Sequence, residues 1–290
     1  KSLWIPFFQV SNFILQSTSE KLFDNVTVIA GLAGEQCYLV EGSEKALLID
    51  GLSGVGSLKA FVRELTDLPV EVVNTHGHVD HCGANFEFGE CRIHPADIRL
   101  MYDHSDPERR FGFAMSGARA KAMATPPTMA DVIPACAVKT YPVYDGDVFD
   151  LGGVQLEVIG VPGHSFGTIV LLDRERRVVF SGDACNPNTL LFLPGSTTIE
   201  EYRESLLHFK EYQPDFDVMY GGHGRNAVPK AIIDDALELC GEIMAGTDDR
   251  MESAYTGRHC YYAKRFTGDF KRLDGGIANI AYALDGIRKK

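Results

Sequence analysis

Short apolar runs, separated by glycine, serine and asparagine turns, dominate the first part of the chain. Such bounded runs predict strands, and they occupy residues 7–10, 13–16, 25–30, 37–40 and 46–50. Residues 57–65 have the apolar spacing of a helix, and residues 70–74 are again rich in β-branched side chains. The pattern predicts a strand meander followed by a strand, helix, strand unit.

The pattern changes after His94, where helices rich in arginine, alanine and methionine are predicted over residues 95–103 and 107–124. We interpret residues 95–127 as a helical insertion. Later elements are strands at 138–141, 148–151, 154–161, 168–172, 178–181 and 216–220, and helices at 199–211 and 229–245. Residues 261–266 and 277–284 fit either strands or helix ends. Because no linker or repeat interrupts the pattern, we predict a single domain over residues 1–290.

Three histidines and an aspartate follow the strand predicted at residues 70–74 within one short stretch, as His76, His78, Asp80 and His81. In an extended loop, residues two apart point the same way, so His76 and His78 can bind one ion. Glycine between them lets the backbone turn. Asp80 and His81 lie beyond that pair and are free to face a second ion. This density of imidazoles indicates metal ligands rather than ordinary surface histidines.

Three later strand ends repeat one pattern, in which an apolar run is followed by glycine and then by histidine or aspartate. Glycine permits a tight turn there, so side chains from distant strands can converge on one edge of a sheet. The residues after these glycines are His164, Asp183 and His223. One such pair alone is usually a turn, but four junctions in one chain favour a shared metal site.

Composition narrows the classes of partner. The chain has 290 residues, a formal net charge of −12 and no basic run, so we expect no nucleic-acid partner. The seven cysteines are scattered and include no Cys-x-x-Cys pair, which favours reduced thiols and a cytoplasmic location. The apolar run at residues 3–8 is too short to span a bilayer, so no membrane partner is expected. The chain begins at Lys1, which leaves a trimmed leader open.

The His-x-His-x-Asp-His loop, with the later His, Asp and His, resembles the metallo-β-lactamase fold superfamily over about residues 25–223. The resemblance implies an α/β fold, namely an αββα four-layer sandwich of two mixed sheets flanked by helices, with the helical insertion and a family-variable C-terminal region at about 225–290.

The same resemblance assigns the ligands. It implies one metal bound by His76, His78 and His164, a second metal bound by Asp80, His81 and His223, and Asp183 as the bridge between them. Asp50 stands where the family has an aspartate that supports the metal loop, although a plain turn aspartate is the alternative.

This ligand set favours hydrolysis. Imidazole and carboxylate without thiolate suit two divalent ions, with zinc preferred and manganese or iron as alternatives. Two such ions about 3.5–4 Å apart can hold a bridging water and lower its pKa to about 7, and Asp80 is the catalytic residue expected to orient the resulting hydroxide. Because Asp183 stands where one large β-lactamase group has cysteine, the chain is more similar to glyoxalase II and its thioesterase, lactonase and phosphodiesterase relatives.

We therefore predict a dinuclear metal hydrolase of a small ester-like bond: a thioester, lactone or phosphodiester. One alternative is an oxidoreductase, because persulfide dioxygenases resemble glyoxalase II yet use one iron held by two histidines and one aspartate. Another is a ligand-binding or regulatory protein that retains a slow hydrolase site.

The substrate is the least constrained part of the prediction. The insertion emerges near the predicted metal edge, and its methionines and phenylalanines suit a small molecule with an apolar body. Phe111, Phe113 and Tyr220 are the candidate substrate contacts. We expect a small-molecule substrate as the partner and leave a homo-oligomer open.

Overall fold

The computed structural model describes residues 18–224, 227–268 and 270–289. The strands predicted at residues 7–10 and 13–16 lie outside this part of the chain. The described strands are β1 (Thr18–Phe23), β2 (Val26–Ala30), β3 (Gln36–Glu41), β4 (Ala46–Ile49), β5 (Val70–Val73), β6 (Glu90–Ile93), β7 (Lys139–Pro142), β8 (Val148–Asp150), β9 (Gln155–Gly160), β10 (Ile169–Asp173), β11 (Val178–Gly182), β12 (Thr189–Leu191), β13 (Val218–Gly221), β14 (Val228–Pro229), β15 (Met251–Tyr255), β16 (Arg258–Tyr262) and β17 (Ile280–Tyr282). The helices are α1 (Leu58–Leu65), α2 (Asn85–Phe88), α3 (Ile98–Asp103), α4 (Pro107–Ser116), α5 (Ala118–Ala122), α6 (Ile199–Glu211) and α7 (Ile232–Ala245).

Two mixed sheets form the centre of the fold. In the described residues, one sheet has the order β1-β2-β3-β4-β5-β6-β7 and the other has the order β14-β13-β11-β10-β9-β8. Their facing side chains form one buried apolar layer, to which Val40, Ile49, Leu156, Leu171 and Phe180 contribute. The αββα sandwich that the resemblance implies is present.

Helices cover both outer faces of this sandwich. Helix α1 packs Leu58 and Val62 against the first sheet, and Ser57 caps its start by accepting a hydrogen bond from the Ala60 N–H at 2.9 Å. Helices α6 and α7 cover the second sheet, and a Thr198–Glu201 capping box begins α6. Each helix follows the apolar spacing that predicted it. No helix among the described residues combines the length and the apolarity that a bilayer span requires.

Residues 95–127, which the sequence analysis interprets as an insertion, form helices α3, α4 and α5 and pack onto the helical side of the first sheet. Met101 and Ala114 are buried in the apolar layer there. Arg110 is also buried and stacks on Phe86, with its guanidinium carbon 5.0 Å from the ring centroid. The insertion is therefore attached to the sandwich by both apolar and cationic side chains.

The C-terminal part of the chain adds a third sheet, which sequence patterns left undecided. Its order is β12-β17-β16-β15, with the stretches at 258–262 and 280–282 both extended. One face packs Leu191 and Tyr282 into the layer under α6 and α7. Strand β12 comes from the segment just after the second sheet's β11, so this sheet is joined to the sandwich beside the strand ends.

Those strand ends meet at one edge of the molecule. Strands β9, β11 and β13 run in the same direction, because β10 is antiparallel to β9 and β11, and β13 is parallel to β11. The Ile169 N–H donates to the Thr75 carbonyl oxygen at 2.9 Å, which joins the segment after β5 to the second sheet. The sequence segments that end in His76–His81, His164, Asp183 and His223 therefore reach the same edge.

Candidate metal centre

The structure brings together all the histidines and aspartates that the sequence analysis assigned to metals. Their ligand atoms lie within 4.8 Å of one another in three groups: His76, His78 and His164; His76, His81 and Asp183; and Asp80, His81 and His223. The groups share members, so they form one continuous site. The exact role of each side chain as a ligand stays a prediction.

His164 lies between the metal loop and the third sheet. Its Nδ1 is 2.9 Å from the Leu190 carbonyl oxygen, and its Nε2 is 2.8 Å from His78 Nδ1. A carbonyl oxygen can only accept, so Nδ1 of His164 carries the proton and Nε2 has the free lone pair. The backbone of β12 thereby presents the Nε2 lone pair to the site.

The carboxylates occupy the centre and the open side. His223 Nε2 lies 3.0 Å from Asp80 Oδ2 and 3.4 Å from Asp183 Oδ2, and His164 Nε2 lies 3.6 Å from Asp183 Oδ2. Asp183 therefore stands between groups of histidines on either side. His76 is fully buried, whereas the His223 side chain is 40% exposed, so the site opens toward His223.

The site passes a chemical test for a metal. Among the described residues, His76 Nε2, His81 Nε2 and Asp183 Oδ1 are buried atoms without a hydrogen-bond partner. Buried polar atoms are normally paired, and leaving one unpaired costs about 1–3 kcal/mol. These three atoms point toward one another without hydrogen-bond partners. Imidazole nitrogens and carboxylate oxygens are the donor atoms that a divalent cation such as zinc binds. The residues present fit the metal that the resemblance implies.

Charges within the site act on its own pKa values. Burial, followed by the neighbouring His81 and His78, holds the pKa of His76 well below 6.5, so His76 is neutral and able to donate a lone pair. Burial alone would also lower the pKa of His81, but the carboxylates of Asp50 and Asp80 raise it to about 9. Against the effect of burial, His223 and His81 keep the pKa of the Asp183 carboxyl well below 3.8. The cluster without metal is thus held by internal ion pairs.

Asp50 supports the metal loop through three hydrogen bonds. It accepts from the Thr75 N–H at 2.7 Å, from the Thr75 hydroxyl at 2.8 Å and from His81 Nδ1 at 2.8 Å. Because His81 Nδ1 donates to this carboxylate, His81 Nε2 faces the cluster with its lone pair when the ring is neutral. The geometry matches the supporting position that the resemblance implies, and it is more than that of a turn aspartate.

Two supports of the metal loop come from the insertion and escaped the sequence analysis. Asp97 is fully buried and accepts hydrogen bonds from the N–H groups of Gly77 and Gly167, at 2.8 and 2.7 Å. His104 accepts from the Val79 N–H at 3.1 Å through Nδ1, and its ring stacks on His78 with centroids 5.1 Å apart. Both residues stand in an ordinary helical pattern, which gave no signal of a role at the site.

Close packing, rather than a turn, explains the glycine between His76 and His78. A Cβ at Gly77 would lie 2.7 Å from the Asp97 carbonyl oxygen and 3.0 Å from the Leu100 Cβ. At the other side of the site, a Cβ at Gly222 would lie 2.5 Å from His81 Cε1. Gly77 therefore allows the start of α3 to approach the metal loop, and Gly222 allows the backbone to approach the His81 ring.

The segment that carries His223 is fixed by the first sheet. The Gln36 N–H donates to the Gly222 carbonyl oxygen at 2.8 Å, and the Tyr38 hydroxyl donates to the Gly221 carbonyl oxygen at 2.6 Å. The neighbouring Glu35 is fully buried, and burial raises its carboxyl pKa. The two sheets therefore meet at the position of His223.

The three candidate substrate contacts lie in different surroundings. Phe111 is half-buried and packs against the apolar layer beneath the first sheet, and Phe113 is half-buried on the same helix. Tyr220 packs near Tyr38 and Phe180, with ring centroids 6.4 and 6.3 Å away. Their part in substrate binding stays a prediction.

Known proteins resemble this chain in sequence and in fold. Acyl-coenzyme A thioesterase MBLAC2 of Gallus gallus is 31% identical over 177 residues, which cover 55% of this chain and 61% of that protein. The Homo sapiens protein of the same name is 32% identical over 173 residues, with the same coverage of 55% and 61%. This chain thus spans about three fifths of the length of these curated relatives.

A solved metallo-beta-lactamase from Pontibacter korlensis shares the fold, with a TM-score of 0.55 at 18% identity, and covers 77% of this chain and 98% of its own. The family model of the metallo-beta-lactamase superfamily matches residues 30–223, a range that holds every predicted ligand position. The resemblance to that superfamily is confirmed, while the closer likeness to glyoxalase II stays a prediction. The chain belongs to the metallo-beta-lactamase superfamily.

Proposed function

We propose that this protein is a metal-dependent hydrolase that cleaves a thioester. The observation that carries the proposal is the convergence of unpaired buried donors, His76 Nε2, His81 Nε2 and Asp183 Oδ1, beside an open side at His223. Two ions would be held by His76, His78 and His164 on one side and by Asp80, His81 and His223 on the other, with Asp183 between them. Zinc is the preferred metal, because the donor set lacks thiolate but is rich in imidazole.

Bound there, divalent ions would supply Lewis acidity and a water of lowered pKa at neutral pH. The chain's own residues do the positioning. Asp80 and Asp183 present carboxylate oxygens toward His223 on the open side of the site, where they can accept hydrogen bonds from a water and so orient its lone pair. His81 and His223 lower the pKa of the Asp80 carboxyl, so it is ionised at neutral pH. The imidazoles beneath it exclude bulk water from the closed side.

The choice of a thioester is supported by two considerations. The curated relatives at 31% and 32% identity are named acyl-coenzyme A thioesterases. A thiol has a pKa of about 8.5, so a thiolate leaves without help from a positioned acid, unlike the alkoxide of an ordinary ester. The carboxylates at the open side are ionised, so they can accept hydrogen bonds from an attacking water but have no proton to give to a leaving group, which matches a reaction that needs no positioned acid.

The test is release of free thiol from a panel of acyl thioesters by protein reconstituted with zinc, manganese or iron. We expect thioester turnover that chelation abolishes and metal restores, with near two ions per chain by elemental analysis. Asp183→Asn should lose most of the activity, whereas Asp217→Asn, an exposed aspartate paired with Arg177 and remote from the site, should retain it. One iron per chain and no thioester turnover would instead support the mono-iron oxidoreductase.

Two further expectations belong to this proposal. The substrate is a small molecule, since the acidic surface, with its net charge of −12, disfavours a nucleic-acid partner. The cysteines are all free, and those next to the site, Cys82 and Cys185, are buried with thiol pKa values raised mainly by burial. Free thiols are consistent with the proposed cytoplasmic location.

A further inference from the structure

The third sheet has two apolar faces, one packed beneath α6 and α7 and the other carrying a smaller apolar cluster with partly exposed members. Successive residues of a strand point to opposite sides. Leu191 and Tyr282 point into the layer under α6 and α7. Leu190, Tyr262 and Met251 form a separate apolar cluster on the opposite face.

This opposite face borders the metal centre. The Leu190 carbonyl oxygen accepts from His164 Nδ1, so the strand that carries the face touches a residue of the cluster. Phe192 lies two residues further along the same side of the chain and packs with the cluster. Its ring stands nearly perpendicular to that of Tyr255, with centroids 6.2 Å apart and an interplanar angle of 82°. Tyr255 ends β15, on the opposite edge strand of this sheet.

Tyr255 is partly exposed, as is the His223 side chain at the open side of the site. It is 39% exposed, and the His223 side chain is 40% exposed, whereas the deeper imidazole of His76 is fully buried. Burial first, and then the negative charge of Asp80, raises the phenol pKa of Tyr255, which puts its hydroxyl within electrostatic range of the cluster.

We propose that the Phe192–Tyr255 pair, backed by Leu190 and Met251, is the wall that receives the apolar acyl chain of the substrate. This inference rests on the proposed thioester hydrolysis. A substrate whose carbonyl is attacked at a polar cluster needs a neighbouring surface for its apolar part. The wall is a partly exposed apolar surface joined to that cluster through the Leu190–His164 hydrogen bond. Aromatic rings suit this role because they bury a large area at a low cost in conformational entropy.

The wall predicts a dependence on chain length. Each methylene buried against it should raise kcat/KM by about fourfold until the wall is covered. Tyr255→Ala and Phe192→Ala should flatten this dependence and raise KM for long chains, with little effect on short ones. Tyr255→Phe keeps the ring and should keep the dependence. Tyr144→Ala removes a tyrosine of similar exposure next to His94 and serves as the matched control.

The experiment measures kcat and KM for short, medium and long saturated acyl thioesters, with metal content and melting temperature recorded for each variant. Calorimetric binding of non-hydrolysable alkyl thioether analogues of the same chain lengths gives a readout independent of turnover. In Tyr255→Ala and Phe192→Ala, we expect both kcat/KM and the binding affinity of the analogues to depend less on chain length, while metal content stays unchanged.

The outcomes separate the two proposals. If the parent protein hydrolyses thioesters but the two variants keep its dependence on chain length, the wall is wrong and the proposed function stands. If the parent hydrolyses no thioester, the proposed function is wrong, and the analogue titration still decides whether the wall binds alkyl chains. Parent binding that is independent of chain length overturns the inference outright.

Discussion

Replacing Asp50 with asparagine should disable the metal site while preserving its shape. The asparagine carbonyl can still accept from the Thr75 N–H, but its amide places N–H donors where Asp50 Oδ2 now accepts from His81 Nδ1 at 2.8 Å. To avoid two facing donors, neutral His81 must accept at Nδ1 and carry its proton on Nε2. That nitrogen faces the cluster, so the proton occupies the lone pair that a metal needs. The backbone adds no strain, because Asp50 has φ +67° and asparagine tolerates this region well.

Two magnitudes follow from this geometry. Loss of a partner that orients a ligating histidine lowers metal affinity by about 10–100-fold. In metal-free protein, the raised pKa of His81, about 9 against 6.5, means that its charged form stabilises the fold. That contribution is complete below pH 6.5 and disappears as the pH rises through about 9. Asp80 also raises the pKa of His81, so Asp50 accounts for only part of this stabilisation. Removing the Asp50 charge should therefore lower the free energy of unfolding by about 1–3 kcal/mol at neutral pH.

Competition with a chromophoric chelator measures zinc affinity. Thermal unfolding of metal-free protein, below and above the His81 pKa, measures how the stability of the fold depends on pH. Parent protein should lose stability between neutral and strongly alkaline pH, and Asp50→Asn should lose less over the same interval. Asp173→Asn is the matched control, since Asp173 is equally buried and accepts two hydrogen bonds from Arg176 at 2.9 and 2.6 Å away from the site. Zinc affinity of Asp50→Asn equal to that of the parent would refute the assigned tautomer.

Three further variants test the site and the insertion. Asp183→Ala should reduce bound metal from about two ions per chain toward one or fewer without unfolding the protein; unchanged occupancy by elemental analysis would remove Asp183 from the site. His104→Asn keeps an acceptor for the Val79 N–H and His104→Ala does not, so only the alanine variant should weaken metal binding. Burial lowers the pKa of His104 to about 4, so its neutral form contributes stability above pH 6.5, and this stability is lost as the pH falls to about 4. The asparagine variant has no group that titrates there, so its free energy of unfolding should fall by about 1–2 kcal/mol less than that of the parent over this interval, after allowance for solvent screening. Phe111→Ala should lower the free energy of unfolding by about 2 kcal/mol and Phe113→Ala by less, because of these two side chains Phe111 is the one that packs on the apolar layer. If KM rises in Phe113→Ala but not in Phe111→Ala, the Phe113 side chain takes part in substrate binding.

The strands of the sandwich and the convergence of the candidate ligands were predictable because their signals are local, whereas the packing of two sheets face to face came from the family resemblance. A β-branched run that ends in glycine and a polar residue shows both a strand and its end, as Val178–Gly182 before Asp183 does. Strands of one direction place their ends at one edge of a sheet, so four such junctions define a site without any knowledge of the loops. Single helices such as α6 were also predictable, since capping residues and apolar spacing are both encoded within the element.

The third sheet was not predictable in the same way. Its strands are short, β17 has only three residues, and they pair across large separations in the chain, as Leu190 with Ala281 and Tyr262 with Ala281. Local patterns carry no information about such partners. Exposed edge strand β1 was missed for a related reason, because its residues Thr18–Phe23 are mostly polar and exposed.

Hydrogen bonds from the backbone or from distant residues that orient the candidate ligands are even harder to predict from the sequence. The Leu190 carbonyl orients His164, and any residue at that position would offer the same oxygen. Asp97 and His104 act from the insertion, where an aspartate near a helix start and a histidine near a helix end are ordinary choices.

Residues 95–127 and the third sheet both contact the group formed by His78 and His164. The insertion touches the His78 side through His104, and the third sheet touches His164 through β12 and approaches Asp80 through Tyr255. The candidate ligands lie at sheet ends that the fold fixes, whereas His104 and the proposed wall lie on segments outside the two central sheets. Chemistry and specificity are thus assigned to different parts of this chain, so variants of the wall should alter which substrate is accepted without altering metal content.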